Sequence, residues 1–357
     1  MKEKLNVGII FGGKSGEHEV SLNSAYNVIR SIDRDKFDIT MIGIDKDGTW
    51  KIYSGDPELI PNSKWENNTS HINTTFSIFH DPIIQQIDIM FPVLHGTFGE
   101  DGTIQGLFEM MDKPYVGCGV LASSVAMDKS ITKILLRSEG IPVAEDILIR
   151  KFEIIQSIEH SVQKVTERFD FPVFVKPVNM GSSVGISKAH DVEELKSALI
   201  LASKFDSKVM VEKFIDANEM EIAALGNDVV KTSCIGQVVP CHEFYDYEAK
   251  YLCGDESEII IPAQIKMETS EKISEYAMKA YRALECSGLS RIDFFVNEET
   301  GLIILNEVNT LPGFTNISMY SKLWEASGIH YTELITKLIE LGMQRYMQRK
   351  ELLYKIN

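Results

Sequence analysis

The sequence is short of paired cysteines, of long apolar runs and of basic residues, and each shortage excludes a class of protein. Its five cysteines are odd in number and lack C-x-x-C spacing, so neither a disulfide framework nor a structural zinc site is predicted. No segment approaches the ~20 apolar residues of a membrane span, and the apolar run within residues 1–11 is too short for a signal peptide. We therefore expect a cytoplasmic protein with no membrane partner.

The shortage of basic residues also bears on the partners of the protein. Thirty-six Lys and Arg residues stand against 52 Asp and Glu residues, which leaves a formal net charge of -16. Such a charge repels a nucleic-acid backbone, so we expect no nucleic acid as partner. A small anionic ligand remains compatible with it, because a pocket needs only a few converging basic side chains.

Length and patterning predict several domains rather than one. The chain has 357 residues, of which 44% are hydrophobic, enough apolar mass for about two to three cores. Buried-strand patterns near residues 7–11, 39–44 and 87–94 alternate with helical spacing, which predicts an open α/β, Rossmann-like domain over residues 1–120. A small α+β domain is predicted over residues 121–213, and a third domain of strands and helices over residues 214–357.

A lysine and a glycine-serine loop follow one of the apolar strand patterns. Lys176 stands at the end of the pattern, and the loop Gly-Ser-Ser-Val-Gly occupies residues 181–185. Glycines let backbone N–H groups approach an anion, hydroxyls add hydrogen bonds, and the lysine supplies a positive charge. This combination predicts phosphate binding; a surface hairpin with an ordinary lysine is the alternative.

Two further strand patterns, at residues 290–296 and 303–309, flank a turn and are expected to pair as an antiparallel hairpin. Counting outward from Thr300 puts Asp293 opposite Glu307, with Arg291 and Asn309 on the same face. Two facing carboxylates repel unless a cation lies between them. Carboxylate and amide oxygens suit Mg²⁺, so the hairpin predicts a magnesium site. The alternative is a polar outer face on which Arg291 pairs with a carboxylate.

Two glycine-containing motifs of the first domain are less specific. Residues 95–102, His-Gly-Thr-Phe-Gly-Glu-Asp-Gly, follow a buried strand, where ligand crevices of α/β sheets open, although a structural turn explains them equally well. Residues 8–15 match the P-loop expression G-x-x-x-x-G-K-[ST]. Because Gly8 lies inside a strand pattern instead of leaving the strand, we interpret that match as coincidence.

Taken together, these motifs resemble the D-alanine-D-alanine ligases of the ATP-grasp superfamily, over nearly the whole chain. The matching segments occur in the family's order: Gly-Gly-Lys-Ser-Gly-Glu-His-Glu-Val-Ser at 12–21, the motif at 95–102, Met-Asp-Lys at 127–129, Val-Lys-Pro at 175–177 with the loop at 181–185, Phe-Tyr-Asp-Tyr-Glu-Ala-Lys-Tyr at 244–251, Arg-Ile-Asp at 291–293, and Asn-Glu-Val-Asn-Thr-Leu-Pro-Gly-Phe-Thr at 306–315. The resemblance implies a three-domain ATP-grasp architecture that combines α/β and α+β parts.

The resemblance also implies a reaction. In this family the carboxylate of one D-alanine attacks the γ-phosphate of ATP, and the amine of a second D-alanine then displaces phosphate from the acyl phosphate. The product is the D-alanyl-D-alanine of peptidoglycan precursors. Each step develops negative charge on oxygen, which metal ions and fixed donors stabilise. ATP and Mg²⁺, or Mn²⁺ in its place, are the implied cofactors, and a homodimer is the implied assembly.

Residue roles follow from the same resemblance. The implied nucleotide contacts are Lys129, Lys176 and Lys250 at phosphates, Glu212, Lys213 and Ile215 at adenine, and Glu219 at ribose. The implied magnesium ligands are Asp293, Glu307 and Asn309. The implied substrate and catalytic residues are Glu17 at the ammonium and His95 near the carboxylate of the first D-alanine, Ser182 and Tyr251 in a hydrogen-bond network with Glu17, Arg291 and the N–H of Gly313 as oxyanion donors, and Ser318 at the carboxylate of the second substrate.

There are three alternative functions: one is a related ligase with another second substrate, and two belong to other functional classes. Related ligases join D-alanine to D-serine or D-lactate; the lactate-forming members replace the Tyr-Asp-Tyr-Glu-Ala-Lys-Tyr run that this chain keeps at 245–251. A non-catalytic nucleotide-binding regulator would have lost metal ligands or the oxyanion arginine. A P-loop kinase would leave Asp293, Glu307 and Asn309 without a purpose.

Overall fold

A computed structural model describes residues 4–181, 184–239 and 258–352, which form three β-sheets covered by helices. The strands are β1 (Leu5–Gly12), β2 (Phe37–Ile44), β3 (Trp50–Tyr53), β4 (Ile72–Asn73), β5 (Ile89–Val93), β6 (Asp146–Arg150), β7 (Val173–Pro177), β8 (Ser187–Ala189), β9 (Lys208–Lys213), β10 (Asn218–Gly226), β11 (Lys231–Val239), β12 (Glu258–Ile260), β13 (Gly288–Asn297) and β14 (Leu302–Asn309). The α-helices are α1 (His18–Ser31), α2 (Pro82–Gln85), α3 (Thr103–Met110), α4 (Val120–Met127), α5 (Lys129–Ser138), α6 (Lys151–Gln156), α7 (Ile158–Thr166), α8 (Val192–Phe205), α9 (Met267–Ala283), α10 (Met319–Ala326) and α11 (Tyr331–Lys350). Short 3₁₀ helices span Pro57–Leu59, Pro61–Asn67 and Thr69–His71.

The first sheet has the order β4-β3-β2-β1-β5; β1 is parallel to both β2 and β5, whereas β3 pairs antiparallel with β2 and with β4. Gly8 lies inside β1, where an added Cβ would come 2.9 Å from the Ile87 side chain. The P-loop match is therefore a coincidence, as expected. The chain leaves β1 through Gly12 and Gly13, both with positive φ, and α1 begins directly after Glu17.

The second sheet is antiparallel, in the order β6-β9-β7-β8. Val173 and Val175 of β7 and Val209 and Val211 of β9 pack with the apolar side of α8 in one core. Because side chains alternate along a strand, the residues next to each valine point to the other face of these two strands. That face holds Lys176 and Glu212.

The third sheet, in the order β12-β11-β10-β13-β14, is antiparallel and has two different faces. One face packs Ile222, Ile292 and Phe294 against α9. On the other face, Ala223 of β10 and Leu289 of β13 belong to the same core as the strands of the first sheet. The first and third sheets are thus joined by one continuous apolar core.

A β-bulge sets which side chains of β14 reach the second face. Phe294 pairs with Leu305 and Asp293 pairs with Glu307, so Asn306 is an extra residue on β14. Leu305 and Val308 both pack into the core with α9, which an uninterrupted alternation would forbid. The bulge therefore turns Glu307 to the same face as Asp293.

The hydrophobic cores show which sheet the helices α4 and α5 pack against. Ala122 and Leu136, from α4 and α5, pack into the core of the third sheet, whereas the core of the second sheet begins at Ile149. The division at 1–120, 121–213 and 214–357 remains a prediction. Within the described part of the chain, no helix combines the length and apolar character needed to cross a membrane.

Candidate functional site

The second sheet contributes a buried ion-pair network. In the register of β7 and β9, Lys176 lies opposite Met210 and Phe174 lies opposite Glu212, so Lys176 and Glu212 are diagonal neighbours. The Lys176 ammonium lies 2.6 Å from one oxygen of Glu212, and the ammonium of Lys133, from α5, contacts the other. Burial raises the pKa of Glu212, but Lys176 and Lys133 outweigh burial and lower that pKa to about 2.

Lys129 connects this network to the third sheet. It is the first residue of α5, whose N-terminus is capped by the Asp128 side chain. Its ammonium donates to the Met180 carbonyl at 2.9 Å, beside the glycine-serine loop, and lies 3.9 Å from a Glu307 oxygen. Burial lowers the pKa of Lys129, and Glu307 opposes that effect. Lys129 thus lies between the lysine face of the second sheet and the carboxylates of the third.

The third sheet presents the predicted metal ligands on one face. Asn309 donates from Nδ2 to Asp293 at 2.9 Å and to Glu307 at 3.4 Å. Arg291 donates to both oxygens of Asp293, at 2.8 and 2.7 Å, and its Nε lies 2.9 Å from Glu221. Burial lowers the pKa of Arg291, but Asp293 and Glu221 outweigh burial and raise it well above its ordinary value.

The chemistry of this donor set fits a magnesium ion. Asp293 and Glu307 supply carboxylate oxygens, and rotation of the Asn309 amide exchanges its nitrogen for its oxygen. One oxygen each of Glu219, Glu221 and Asp293 also lie within 4.8 Å of one another. Asp293 therefore belongs to both acidic groups, and the expected pairing of Asp293 with Glu307 is confirmed.

A second group of predicted residues lies beside the first sheet, around Glu17. An added Cβ on Gly96 would come 2.5 Å from Glu17 Oε2, and one on Gly181 would come 3.3 Å from the same oxygen. The Glu17 carboxylate therefore fits between two glycines, one of which begins the glycine-serine loop of the second sheet. This proximity links the first sheet to the loop that follows β7 of the second sheet.

His95 is buried near Glu17 and is held by both of its ring nitrogens. Nδ1 lies 3.1 Å from the Leu311 carbonyl, which can only accept, and Nε2 lies 3.1 Å from the Ser24 hydroxyl. Burial lowers the pKa of His95, but Glu100 and, more weakly, Glu17 outweigh burial and raise it. The contact with Leu311 brings His95 to the segment that contains Gly313.

Gly313 and Ser318 lie in the segment that follows β14, which also contains Leu311, the residue whose carbonyl His95 contacts. An added Cβ on Gly313 would lie 3.4 Å from the Ser318 hydroxyl oxygen. That oxygen also accepts from the Thr315 N–H at 3.0 Å and lies 2.7 Å from the Thr315 hydroxyl. The Phe314 N–H donates weakly to Ser24, at 3.4 Å, so the Gly313 loop and His95 share Ser24 as a partner.

The remaining predicted residues lie in or beside β9 and β10, or outside the described part of the chain. Lys213 ends β9, and its N–H donates to the Glu145 carbonyl at 3.1 Å; Ile215 lies in the connection to β10, and Glu219 lies at the start of β10. Ser182, Lys250 and Tyr251 lie outside the described residues. Sequence reasoning missed Glu221 and Lys133. Glu221 shares a face with Glu219 by strand alternation, a signal that becomes useful only when β10 is known to lie beside β13.

Comparison with known proteins identifies two family models that match the chain. The family model described as D-ala D-ala ligase N-terminus matches residues 6–118, and the one described as D-ala D-ala ligase C-terminus matches residues 135–340. A D-alanine--D-alanine ligase of Acetivibrio thermocellus is 51% identical, with 97% of this chain and 98% of the relative covered. One of Ruminiclostridium cellulolyticum is also 51% identical, with 96% of each chain covered.

Solved structures give the same result. The VanG D-Ala:D-Ser ligase of Enterococcus faecalis superposes with a TM-score of 0.86 at 37% identity, covering 95% of this chain and all of that one (100%). The D-alanine--D-alanine ligase of Bacillus anthracis, complexed with ATP, has a TM-score of 0.73 at 29% identity and covers 97% and 99% of the two chains. The expected ATP-grasp fold is therefore confirmed. Because both family models and these relatives cover nearly the whole sequence, the chain belongs to the D-alanine-D-alanine ligase family.

Proposed function

We propose that this chain catalyses the ATP-dependent ligation of two D-alanine molecules to D-alanyl-D-alanine, through an acyl phosphate, for peptidoglycan precursor synthesis. The observation that carries the proposal is the position of Lys129, between the lysines of the second sheet and the carboxylates of the third. A polyphosphate needs cations along its length and a divalent ion at its reacting end. The two facing sheets supply side chains for both.

In this proposal the nucleotide lies between the second and third sheets. Lys129 and Lys176 neutralise phosphates, together with Lys250, which lies outside the described residues. Lys213 and Ile215 edge the adenine beside Glu212, and Glu219 accepts from the ribose. Asp293, Glu307 and Asn309 hold Mg²⁺, or Mn²⁺ in its place. When bound, the metal neutralises charge on the phosphates and thereby makes phosphoryl transfer easier.

The amino-acid substrates occupy the pocket beside the first sheet. Glu17 accepts from the ammonium of the first D-alanine, and His95 lies near its carboxylate. Arg291 and the Gly313 N–H donate to the oxygen that becomes negative when the second amine attacks. Ser318 donates to the carboxylate of the second D-alanine. Ser182 and Tyr251 join Glu17 in closing the site over the reactants, which limits loss of the acyl phosphate to water.

D-alanine is favoured over D-serine as the second substrate. The curated relatives named D-alanine--D-alanine ligase reach 51% identity, whereas the VanG D-Ala:D-Ser ligase stands at 37%. We further propose that the protein acts in the cytoplasm as a homodimer; both statements rest on likeness to the family.

The test is an assay of ADP release combined with chromatography of the products. With D-alanine and Mg²⁺ the enzyme should form ADP and D-alanyl-D-alanine in equal amounts, and omitting D-alanine should lower ADP release to background. D-serine or D-lactate offered with D-alanine should yield mixed product only in trace amounts. A protein that binds ATP without turnover, or that phosphorylates another acceptor at the same rate without D-alanine, would refute the proposal.

A further inference from the structure

Lys133 is a buried lysine to which the proposed function assigns no role. It projects from α5, one turn after Lys129, and only 2% of its surface is exposed. Its ammonium contacts one oxygen of Glu212, donates to the Ala144 carbonyl at 3.1 Å and lies 3.8 Å from Asp146. Asp146 is itself paired with Glu212 across β6 and β9. Three oxygen groups therefore fix this ammonium.

Glu212 is shared by two lysines with different surroundings. Its second oxygen lies 2.6 Å from Lys176, the lysine that the proposed function assigns to a nucleotide phosphate. Burial raises the pKa of Glu212, so an ionised carboxylate at this depth depends on its cations. If Lys176 turned to a phosphate and no second cation were present, Glu212 would become a buried anion without a counter-ion, which is strongly unfavourable.

We propose that Lys133 is a positioning residue for nucleotide binding, which keeps Glu212 neutralised and in place so that Lys176 can move from Glu212 to a phosphate. This inference rests on the proposed nucleotide site. Lys133 itself stays with Glu212 and the Ala144 carbonyl throughout and does not touch the nucleotide.

The charge of Lys133 can be removed with little change in length by Lys133→Met. In that variant Lys176 is the remaining cation on Glu212, so its transfer to phosphate is opposed. We expect the KM for ATP and the dissociation constant of Mg·ADP, measured by calorimetry, to rise at least tenfold. The KM for D-alanine should stay within about twofold, because Glu17 and His95 lie in the other pocket.

The chain offers a matched control. Arg137 lies one turn further along α5, donates to the same Ala144 carbonyl at 3.0 Å and pairs with the same Asp146, but its contacts do not include Glu212. Arg137→Met should therefore leave both constants within twofold. An equal loss of nucleotide affinity in Arg137→Met would show that Lys133 acts only by tethering α5 to β6, and would overturn the inference.

A double variant separates charge balance from packing. In Lys133→Met with Glu212→Gln the carboxylate is gone, so Mg·ADP should bind as it does to Glu212→Gln alone. Double-variant binding clearly weaker than that of Glu212→Gln alone, or unchanged binding in Lys133→Met itself, would refute the inference. If Lys133→Met alone does not fold, the comparison of the double variant with Glu212→Gln still decides whether the inference holds.

Mg·ADP binding requires no turnover, so this test does not depend on the proposed reaction. A wild-type protein that binds Mg·ADP but forms no dipeptide would refute the proposed reaction and leave the test of Lys133 intact.

Discussion

Replacing Gly96 by alanine tests the position assigned to the Glu17 carboxylate. The added methyl group would lie 2.5 Å from Glu17 Oε2, whereas carbon and oxygen normally approach to about 3.3 to 3.6 Å. The carboxylate must therefore retreat by about 1 Å. Since a misplacement of about 1 Å can cost on the order of 100-fold in rate, we expect kcat/KM at low D-alanine to fall by about 10- to 100-fold, with little change in the KM for ATP.

Backbone strain has to be separated from this displacement. Gly96 has φ of 72°, a conformation that costs an L-residue roughly 1 to 2 kcal/mol. Gly140 provides the control, because its φ is 70° and an added Cβ there meets nothing within 4 Å. Both alanine variants should lose similar stability in denaturant unfolding, but only Gly96→Ala should lose activity. Equal kcat/KM in the two variants would refute the placement of Glu17.

Two other outcomes follow from the charged groups of the site. Glu307→Gln should abolish dipeptide formation at ordinary magnesium while the circular dichroism spectrum is kept, whereas Glu299→Gln, in the turn of the same hairpin, should behave as wild type; near wild-type turnover of Glu307→Gln would exclude the metal site. The pKa of Glu212 is lowered from 4.5 to about 2, so its ionised form stabilises the fold above pH 4.5, and about 3 kcal/mol is lost as the pH falls from 4.5 towards 2. The difference in unfolding free energy between wild type and Glu212→Gln should accordingly be constant from about pH 8 to pH 5.5 and shrink below about pH 4.5; a difference that does not change with pH would contradict the ion pairs with Lys176 and Lys133.

Local sequence patterns predicted the elements that carry the site better than they predicted its geometry. The lysine near the end of β7 and the hairpin of β13 and β14 were visible as short-range patterns, because strand alternation and turn residues act over a few residues. The structure places these strands at Val173–Pro177, Gly288–Asn297 and Leu302–Asn309. Such boundaries depend on neighbours in the chain.

The hairpin shows a correct prediction reached by an incorrect count. Symmetry about Thr300 predicted Asp293 opposite Glu307, but the strands actually pair Asn297 with Leu302, half a residue away from that axis. The bulge at Asn306 restores the predicted pairing. No pattern in the sequence distinguishes a bulge there from a turn one residue longer, because both satisfy the same spacing between the two ligands.

Local sequence patterns did not predict contacts between segments that lie far apart in the chain. The pairing of Lys133 with Glu212 depends on the packing of α5 over β6 and β9, which no local period encodes. The charged end of α11 gives a second example. Arg345 stacks on the Tyr115 ring, 4.1 Å from its centroid, and donates to the Gly117 carbonyl and the Ser287 hydroxyl. Charge along the chain does not reveal which charged side chains find a partner.

The core shared by the first and third sheets has a consequence for the synthesis of the protein. It joins Val7, near the start of the chain, to Ile339 in α11, which also packs against β5 and α1. Ribosomes add about 5 to 20 residues per second, so roughly 10 to 50 seconds pass between the completion of β5 and the appearance of α11. Throughout that interval the nascent first sheet lacks part of its apolar covering. The final packing of the first sheet therefore awaits the last helix, and until then its uncovered apolar surface is a binding surface for chaperones.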